Sequence, residues 1–329
     1  MEKVFVPASV PPEKRKEYLK NWKVATRGTG RLMMFACDQK VEHLNDDFVG
    51  PGIPAEVADP KHYFNIACGA EIGVLAAQAG LLSRYANDLC RNTPLIVKIN
   101  SKTNLIKKEE RDPFSNRWLA MEDIVNFKKT SGLNIVGVGY TVYIGSTFES
   151  ESFGQAARVI YKAHQEGMLA VIWIYARGKA VKNEEDIHLL AGGAGVAVCL
   201  DTDFVKISYP YSQPTIETAK KFREVTTAAG RSGVICIGGK KMPEKKFLEQ
   251  LHHQIHISGT RGVAVGRNIY QRPLNEAVRM ANAISAVTLY DYSAEEAYKI
   301  YQGKKKLTIK KPTLPKEKIS LKSFLSFSF

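Results

Sequence analysis

The chain has 329 residues, of which 44% are hydrophobic and 24% charged, the balance of a globular protein with one large domain or two small ones. No apolar run approaches the roughly 20 residues of a membrane span, and residues 1–23 lack the apolar segment of a signal peptide. The five cysteines are scattered with no Cys-x-x-Cys pair, which argues against a structural zinc site and predicts a reducing, cytoplasmic compartment.

The net charge of +14 is unevenly distributed. Residues 303–329 hold eight lysines and one glutamate, so this tail carries +7 and the preceding 302 residues carry the other +7. A mildly basic body suits an enzyme that binds phosphorylated anions. A nucleic-acid-binding protein is the alternative from a different class, and it is disfavoured because the tail has no aromatic residue before Phe324.

A lead-in, residues 1–31, contains a short polar helix, and a regular alternation of strands and helices follows. Runs rich in apolar and β-branched residues predict strands at 32–38, 72–76, 94–100, 135–143, 169–175, 204–209, 233–238 and 262–266. Helix-forming segments lie at 60–69, 80–90, 121–131, 155–167, 184–200, 214–229 and 243–256, and helical sequence continues to about residue 301.

Eight strand–helix repeats over roughly 270 residues predict an α/β protein with a (β/α)8 TIM barrel. The barrel is expected at 32–302 as a single domain, between the lead-in at 1–31 and a basic C-terminal tail at 303–329. The competing fold is a doubly wound open sheet. It is disfavoured because no G-x-G-x-x-G fingerprint follows the first strand.

The sixth strand carries a lysine at its centre. Side chains alternate along a strand, so Lys206 shares one face with Phe204 and Ser208. Burial of an ammonium group lowers its pKa, and a neutral amine can attack a carbonyl to form a Schiff base. The run alone also allows two bland interpretations, an edge-strand lysine in solvent or one that is paired with a carboxylate.

Other polar residues stand near the carboxyl ends of predicted strands, where TIM barrels place their active sites. They are expected to point into one cup and are Asp38, Lys98, Asn100, Trp173, Tyr175, Arg177 and Ser208. Trp173 and Tyr175 are equally readable as barrel filler. Lys98 is expected either to pair with Asp38 or to lower the pKa of Lys206 as a neighbouring cation.

Two glycine-plus-cation loops follow the last two strands. Gly239 and Lys240 come after the seventh strand, and Gly266 and Arg267 come after the eighth, where a helix is expected to begin. Glycine lets the backbone approach an anion closely, and these two loops often form the phosphate site of a TIM barrel. The pair of loops therefore predicts a phosphorylated substrate.

The sequence resembles the archaeal-type class I fructose-bisphosphate aldolases, which also occur in bacteria. The resemblance covers about residues 30–290. It rests on the runs DQKVEH at 38–43, GVGYTVYIGS at 137–146, WIYARG at 173–178, DFVK at 203–206 and VGRNI at 265–269. It implies reversible cleavage of fructose 1,6-bisphosphate through a Schiff base, with no metal and no other cofactor, in a homo-oligomer such as an octamer or decamer.

The resemblance also implies residue roles. Lys206 would form the Schiff base, Tyr175 would transfer the proton, and Asp38 would handle the hydroxyl and carbinolamine protons. Substrate binding would fall to Trp173, Arg177, Lys98, His43, Ser208, Gly239, Lys240, Gly266 and Arg267, with no metal ligand among them. His43 is equally readable as a solvated loop residue.

The sequence departs from the family pattern at two places. Gln39 and Lys40 stand where many relatives have His-Gly, which bears on the sugar preference, and Lys240 and Lys241 add positive charge where a phosphate is expected. A transaldolase, or a thiolase-like enzyme that acts on another phosphorylated ketose, remains the alternative on the same site.

Overall fold

The computed structural model describes residues 4–210 and 215–309. Its eight strands are parallel and close into a barrel in sequential order, with the eighth strand paired to the first. The predicted TIM barrel is therefore confirmed. The strands are β1 (Leu32–Ala36), β2 (Val74–Gln78), β3 (Leu95–Lys98), β4 (Ile135–Ile144), β5 (Leu169–Ala176), β6 (Phe204–Ile207), β7 (Gly233–Ile237) and β8 (Gly262–Val265).

The helices cover the outside of the barrel. They are α1 (Arg15–Ala25), α2 (Gln39–Glu42), α3 (Lys61–Gly69), α4 (Ala79–Arg84), α5 (Met121–Ser131), α6 (Glu149–Gln165), α7 (Ile187–Cys199), α8 (Ile216–Lys221), α9 (Arg223–Ala228), α10 (Glu244–His256), α11 (Arg267–Tyr270), α12 (Leu274–Tyr290) and α13 (Ala294–Tyr301). Short 3₁₀ turns occupy Pro12–Lys14, Ala55–Ala58 and Ala86–Asp88.

Several element boundaries differ from the sequence prediction. The helix expected at 214–229 is divided into α8 and α9 at Phe222, whose ring is fully buried. The helix expected at 155–167 begins at Glu149 and has two glutamates in its first turn, where acidic side chains complement the helix dipole. β1 and β6 end before Asp38 and Ser208, so these two residues follow their strands rather than end them.

The barrel interior is a packed apolar layer beneath the cup. It includes Met34, Ile96 and Val171, with Trp173 lying across its upper part. Gly139 on β4 faces this indole, and a Cβ at that position would come within 2.4 Å of the Trp173 ring. The glycine of the 137–146 run therefore makes room for the tryptophan. At the opposite end, Trp22 of α1 stacks on Phe204 with ring centroids 5.0 Å apart and closes the barrel.

The lead-in is fixed to the start of β6. The Asp203 carboxylate accepts hydrogen bonds from the Tyr18 hydroxyl and from the Ala170 amide, the second at 2.7 Å. The His164 ring lies 3.2 Å from the same carboxylate. Three elements thus hold the residue that stands three positions before Lys206, which restricts the freedom of the lysine-bearing strand.

One cysteine pair corrects the interpretation drawn from cysteine spacing. Cys68, in the last turn of α3, and Cys90, between α4 and β3, form a disulfide although 22 residues separate them. Sequence spacing alone predicted scattered thiols. Across residues 4–210 and 215–309, no helix is long and apolar enough to cross a membrane. The tail beyond residue 309 lies outside the described residues.

Candidate active site

Lys206 lies in the middle of β6 and is almost fully buried, with 3% of its surface exposed. Its ammonium group stands 5.0 Å from the centre of the Trp173 ring on the neighbouring strand. Burial lowers the pKa of Lys206, Asp38 opposes this shift, and Lys98 adds to it. The solvent-exposed edge-strand interpretation is therefore excluded, and the environment favours the neutral amine that nucleophilic attack requires.

A second buried lysine lies between two carboxylates. The Lys98 amine is 3.5 Å from Asp38 Oδ2 and 3.2 Å from Glu42 Oε1, and its side chain is inaccessible to solvent. Burial alone would raise the pKa of Asp38, but Lys206 and Lys98 hold it below the usual value. Asp38 Oδ1 is buried without a hydrogen-bond partner. This oxygen is therefore free to accept a proton or hydrogen bond from a substrate hydroxyl.

Tyr175, near the end of β5, presents its phenol to the same cup. Its ring stacks on Tyr143 with centroids 5.9 Å apart, and the Arg177 guanidinium stands 5.5 Å from the Tyr175 ring. Burial raises the pKa of Tyr175, and the charges of Glu42 and Asp38 raise it further. The phenol is thus protonated at neutral pH and is available as a proton donor. Arg177 is held by Glu184, 3.3 Å away.

Most of the predicted site residues line one cavity at the carboxyl end of the barrel. These are Asp38, His43, Tyr175, Arg177, Lys206, Ser208, Gly239, Gly266 and Arg267. Trp173 and Lys98 lie beneath the cavity, and Lys240 is exposed beside it. The structure thus brings the reacting groups and both glycine loops together, and it places three of the predicted binding residues outside the cavity wall.

The two glycine loops are joined by one buried asparagine. The Asn268 amide donates to the carbonyls of Gly238 at 2.8 Å and Lys240 at 2.9 Å. Gly239 has φ of +67°, a conformation that glycine adopts without strain. A Cβ on Gly266 would come within 2.3 Å of the Gln39 amide, so a glycine is required there as well. α11, the helix expected to bind phosphate at its N-terminus, has only four residues, so the loops and Arg267 carry the phosphate argument.

An aspartate connects two of the predicted binding residues. Asp47 Oδ2 is 2.5 Å from His43 Nδ1 and 3.5 Å from the Arg267 guanidinium. His43 is therefore an anchored side chain at the cavity wall rather than a solvated loop residue. A carboxylate on one ring nitrogen fixes the orientation of the imidazole and directs its other nitrogen elsewhere.

Four side chains of the site escaped the sequence argument: Glu42, Asp47, Lys102 and Tyr143. Two of them had a usable signal. Glu42 lies four residues after Asp38 within the 38–43 run, and Tyr143 lies within the 137–146 run. Lys102 and Asp47 fall in segments predicted as loops, where no periodicity indicates the direction of a side chain.

The chain is similar to known aldolases along most of its length. The DeoC/LacD family aldolase model matches residues 32–272. A fructose-bisphosphate aldolase/6-deoxy-5-ketofructose 1-phosphate synthase of Methanocaldococcus jannaschii is 52% identical over 303 residues, which cover 92% of this chain and 96% of that protein.

Two solved structures share the fold closely. A fructose-bisphosphate aldolase from Slackia heliotrinireducens DSM 20476 is 46% identical, with a TM-score of 0.90 and coverage of 94% of this chain and 97% of the other. An archaeal fructose-1,6-bisphosphate aldolase, with its catalytic lysine covalently bound to the carbinolamine intermediate, is 29% identical. Its TM-score is 0.70, and the match covers 84% of this chain and 99% of the other.

A closed barrel with a buried lysine on its sixth strand defines a Schiff-base-forming aldolase. The chain belongs to the DeoC/LacD family of aldolases, among the archaeal-type class I fructose-bisphosphate aldolases, and is a lyase. The resemblance drawn from the sequence is confirmed. Enzymes of this class hold their substrate on a lysine and use no metal, because the iminium withdraws the electrons that a metal would polarise.

Proposed function

We propose that the chain cleaves fructose 1,6-bisphosphate reversibly to dihydroxyacetone phosphate and glyceraldehyde 3-phosphate, with Lys206 as the Schiff-base residue. The observation that carries this proposal is the buried Lys206 amine within the same cavity as Asp38, Tyr175 and the two glycine loops. The aldolases most similar to it that are described above carry fructose-bisphosphate aldolase in their names.

The proposed reaction begins when the neutral amine of Lys206 adds to the C2 ketone. Protonation and loss of the C2 oxygen as water leave an iminium. The C3–C4 bond then breaks as Asp38, whose Oδ1 has no protein partner, accepts the C4 hydroxyl proton. Glyceraldehyde 3-phosphate leaves, and Tyr175 protonates the enamine carbon. Hydrolysis of the resulting iminium releases dihydroxyacetone phosphate and restores the amine.

The experiment that tests this function uses fructose 1,6-bisphosphate, borohydride reduction and the mass of the intact protein. A trapped adduct of dihydroxyacetone phosphate, with glyceraldehyde 3-phosphate in solution, is expected in the presence of EDTA. Absence of an adduct while cleavage continues, or cleavage that stops in EDTA and returns with zinc, would contradict the proposal.

A second reaction on the same site is favoured by the 52% identical relative, whose name includes 6-deoxy-5-ketofructose 1-phosphate synthase. Cleavage of that ketose between C3 and C4 gives dihydroxyacetone phosphate and 2-oxopropanal, so its synthesis is the reverse aldol step on the same enamine. The enzyme, loaded with dihydroxyacetone phosphate and given 2-oxopropanal, is expected to form the six-carbon product. Product analysis by mass spectrometry decides whether this acceptor is used.

Arg267 and the glycine loops are proposed to hold a phosphate group of the sugar. Arg267→Ala is expected to raise KM about 10- to 100-fold with a small change in kcat, because a charge-assisted hydrogen bond of roughly 1.5–3 kcal/mol is lost in ground state and transition state alike. Arg223→Ala removes the same charge from an exposed site on α9 and serves as the control. An unchanged KM for the Arg267 variant would place the phosphate elsewhere.

Trp173, Lys98, Ser208 and Lys240 are proposed as supporting residues. Trp173 and Lys98 act from beneath the cup, where both lysine amines stand about 5 Å from the indole ring. Ser208 lies in the cavity wall, and exposed Lys240 adds positive charge beside the glycine loop. Replacement of Lys240 by alanine tests the last role, since a KM that does not depend on this charge would remove Lys240 from the site.

The chain is also proposed to work as a cytoplasmic homo-oligomer, with residues 32–302 as the barrel domain. Exposed Trp118 and Tyr161, at 51% and 57% accessibility, favour subunit contacts, and a doubly phosphorylated substrate favours a compartment from which anions do not escape through a bilayer. The Cys68–Cys90 disulfide opposes a strongly reducing compartment. Thiol alkylation in rapidly quenched cells tests this location, because full protection of both cysteines would contradict it.

The tail from residue 303 is proposed to serve assembly rather than chemistry. Light scattering of the full chain is expected to give several times the 36.6 kDa of one subunit. Truncation after Gly303 is expected to leave turnover unchanged while it reduces the particle mass. A truncated protein that keeps its mass but forms no Schiff base would show that the tail acts at the active site.

A further inference from the structure

We propose that Glu42 is a positioning residue that supplies the counter-charge for the iminium formed on Lys206. The inference rests on the proposed Schiff-base function and concerns a residue to which the reaction described above assigns no step. Glu42 ends the short helix α2, four residues after Asp38, and its side chain is 11% exposed at the cavity wall.

The contacts of Glu42 fix its carboxylate beside Lys98. Glu42 Oε1 lies 3.2 Å from the Lys98 amine and accepts a hydrogen bond from the Ser101 hydroxyl at 3.2 Å. The Gln78 amide donates to the same hydroxyl at 3.0 Å and to the Asp38 carbonyl at 3.0 Å. A chain of hydrogen bonds from β2 and the residue after Asn100 thus holds the carboxylate in place.

Charge balance in the cup shows what Glu42 adds. The charged side chains that face Lys206 are Asp38 after β1, Glu42 in α2 and Lys98 at the end of β3. Trp173 on β5 faces it with a neutral ring, and β7 and β8 contribute Ile237 and Ala264 to the wall. With Lys206 neutral and both carboxylates ionised, the cup carries one net negative charge.

Schiff-base formation changes this sum by one unit. The amine adds to the C2 ketone, one proton is taken up overall, and the C2 oxygen leaves as water, so the iminium nitrogen gains a positive charge. The cup then becomes neutral. Without Glu42, the Lys98–Asp38 pair would be neutral by itself, and the iminium would be an uncompensated cation in a buried site, which is costly.

Glu42 also leaves Asp38 available for proton transfer. Lys98 lies slightly closer to Glu42 than to Asp38, at 3.2 Å against 3.5 Å, and the second oxygen of Asp38 has no partner. When Asp38 accepts the C4 hydroxyl proton and becomes neutral, Glu42 remains as the anion beside Lys98. The two carboxylates therefore divide the work, one moving protons and the other holding charge.

The test compares the Glu42→Gln variant with the wild-type enzyme by borohydride trapping and by the pH profile of kcat/KM. At subsaturating fructose 1,6-bisphosphate the trapped fraction is expected to fall about tenfold, the equivalent of one pKa unit of electrostatic stabilisation. The acid limb of the profile is expected to move to lower pH, because the charge of Glu42 raises the pKa of Lys206. A merely structural role would not move this limb.

Two further variants complete the test. The double variant Glu42→Gln/Lys98→Gln restores the wild-type charge sum and is expected to recover most of the trapped fraction. Glu71→Gln removes a half-buried carboxylate that pairs with Arg27 at 3.1 Å, away from the cavity, and is expected to trap like the wild type. Should the single variant fail to fold, the double variant carries the same test, since it leaves no unpaired Lys98 charge.

Each outcome is decisive. A folded Glu42→Gln protein with wild-type trapping and an unmoved acid limb would overturn the proposal, as would a folded double variant that traps no better than the single one. Failure of the wild-type enzyme to form any adduct would instead contradict the proposed function itself. The two failures are thereby distinguished.

Discussion

Replacement of Lys206 by methionine is expected to abolish borohydride trapping and to lower kcat at least about 10³-fold, because the residue that forms the covalent bond is lost. Peptide mapping of the wild-type adduct is expected to mark Lys206. Lys98 is the internal comparison, since its amine is equally buried and also stands about 5 Å from the Trp173 ring. An adduct on Lys98 would reverse the assignment.

The same variant has a stability consequence with a definite sign. Burial lowers the pKa of Lys206, so at neutral pH the unfolded chain binds a proton at this position more tightly than the folded chain does. This difference opposes folding below the pKa of the unfolded lysine. Methionine has no such proton, so Lys206→Met is expected to unfold at the wild-type temperature or above it. A lower Tm would show that loss of activity reflects unfolding rather than loss of the nucleophile.

The barrel and the position of its lysine were predictable from the sequence for a physical reason. Strands buried on both faces read as short apolar runs, and eight of them alternate with helices. A lysine in such a run is noticeable because its burial is costly. Since parallel strands bring their carboxyl ends together, side chains at Asp38, Tyr175 and Lys206 were expected to meet, and the structure brings them to one cavity.

The residues that escaped prediction depend on the paths of loops. Glu42 reaches Lys98 because residues 39–42 form one helical turn directly after β1, a detail that no periodicity reveals over four residues. Asp47 meets Arg267 across 220 positions of sequence, through a segment predicted only as a loop. The Cys68–Cys90 disulfide is of the same kind, since sequence separation does not encode which helix ends meet.

Tyr175→Phe is expected to reduce turnover about 10²-fold or more while Schiff-base trapping persists. Proton transfer typically contributes that factor, and the phenylalanine ring preserves the stack on Tyr143 while it removes the proton. The enamine then accumulates, because bond cleavage no longer leads to protonation of the enamine carbon. The elevated pKa of the phenol fits a group that donates its proton and regains it in each cycle.

A matched phenol elsewhere in the barrel separates chemistry from packing. Tyr140 lies on β4, is buried, and donates a hydrogen bond to Gln155 at 2.7 Å, without lining the cavity. Tyr140→Phe is expected to cost about 1 kcal/mol of stability for the lost hydrogen bond and to leave turnover unchanged. If Tyr175→Phe lowered trapping and turnover in parallel, its hydroxyl would support the site rather than transfer the proton. Retained trapping with slow release of dihydroxyacetone phosphate assigns proton transfer to Tyr175, because only the step after carbon–carbon cleavage is then impaired.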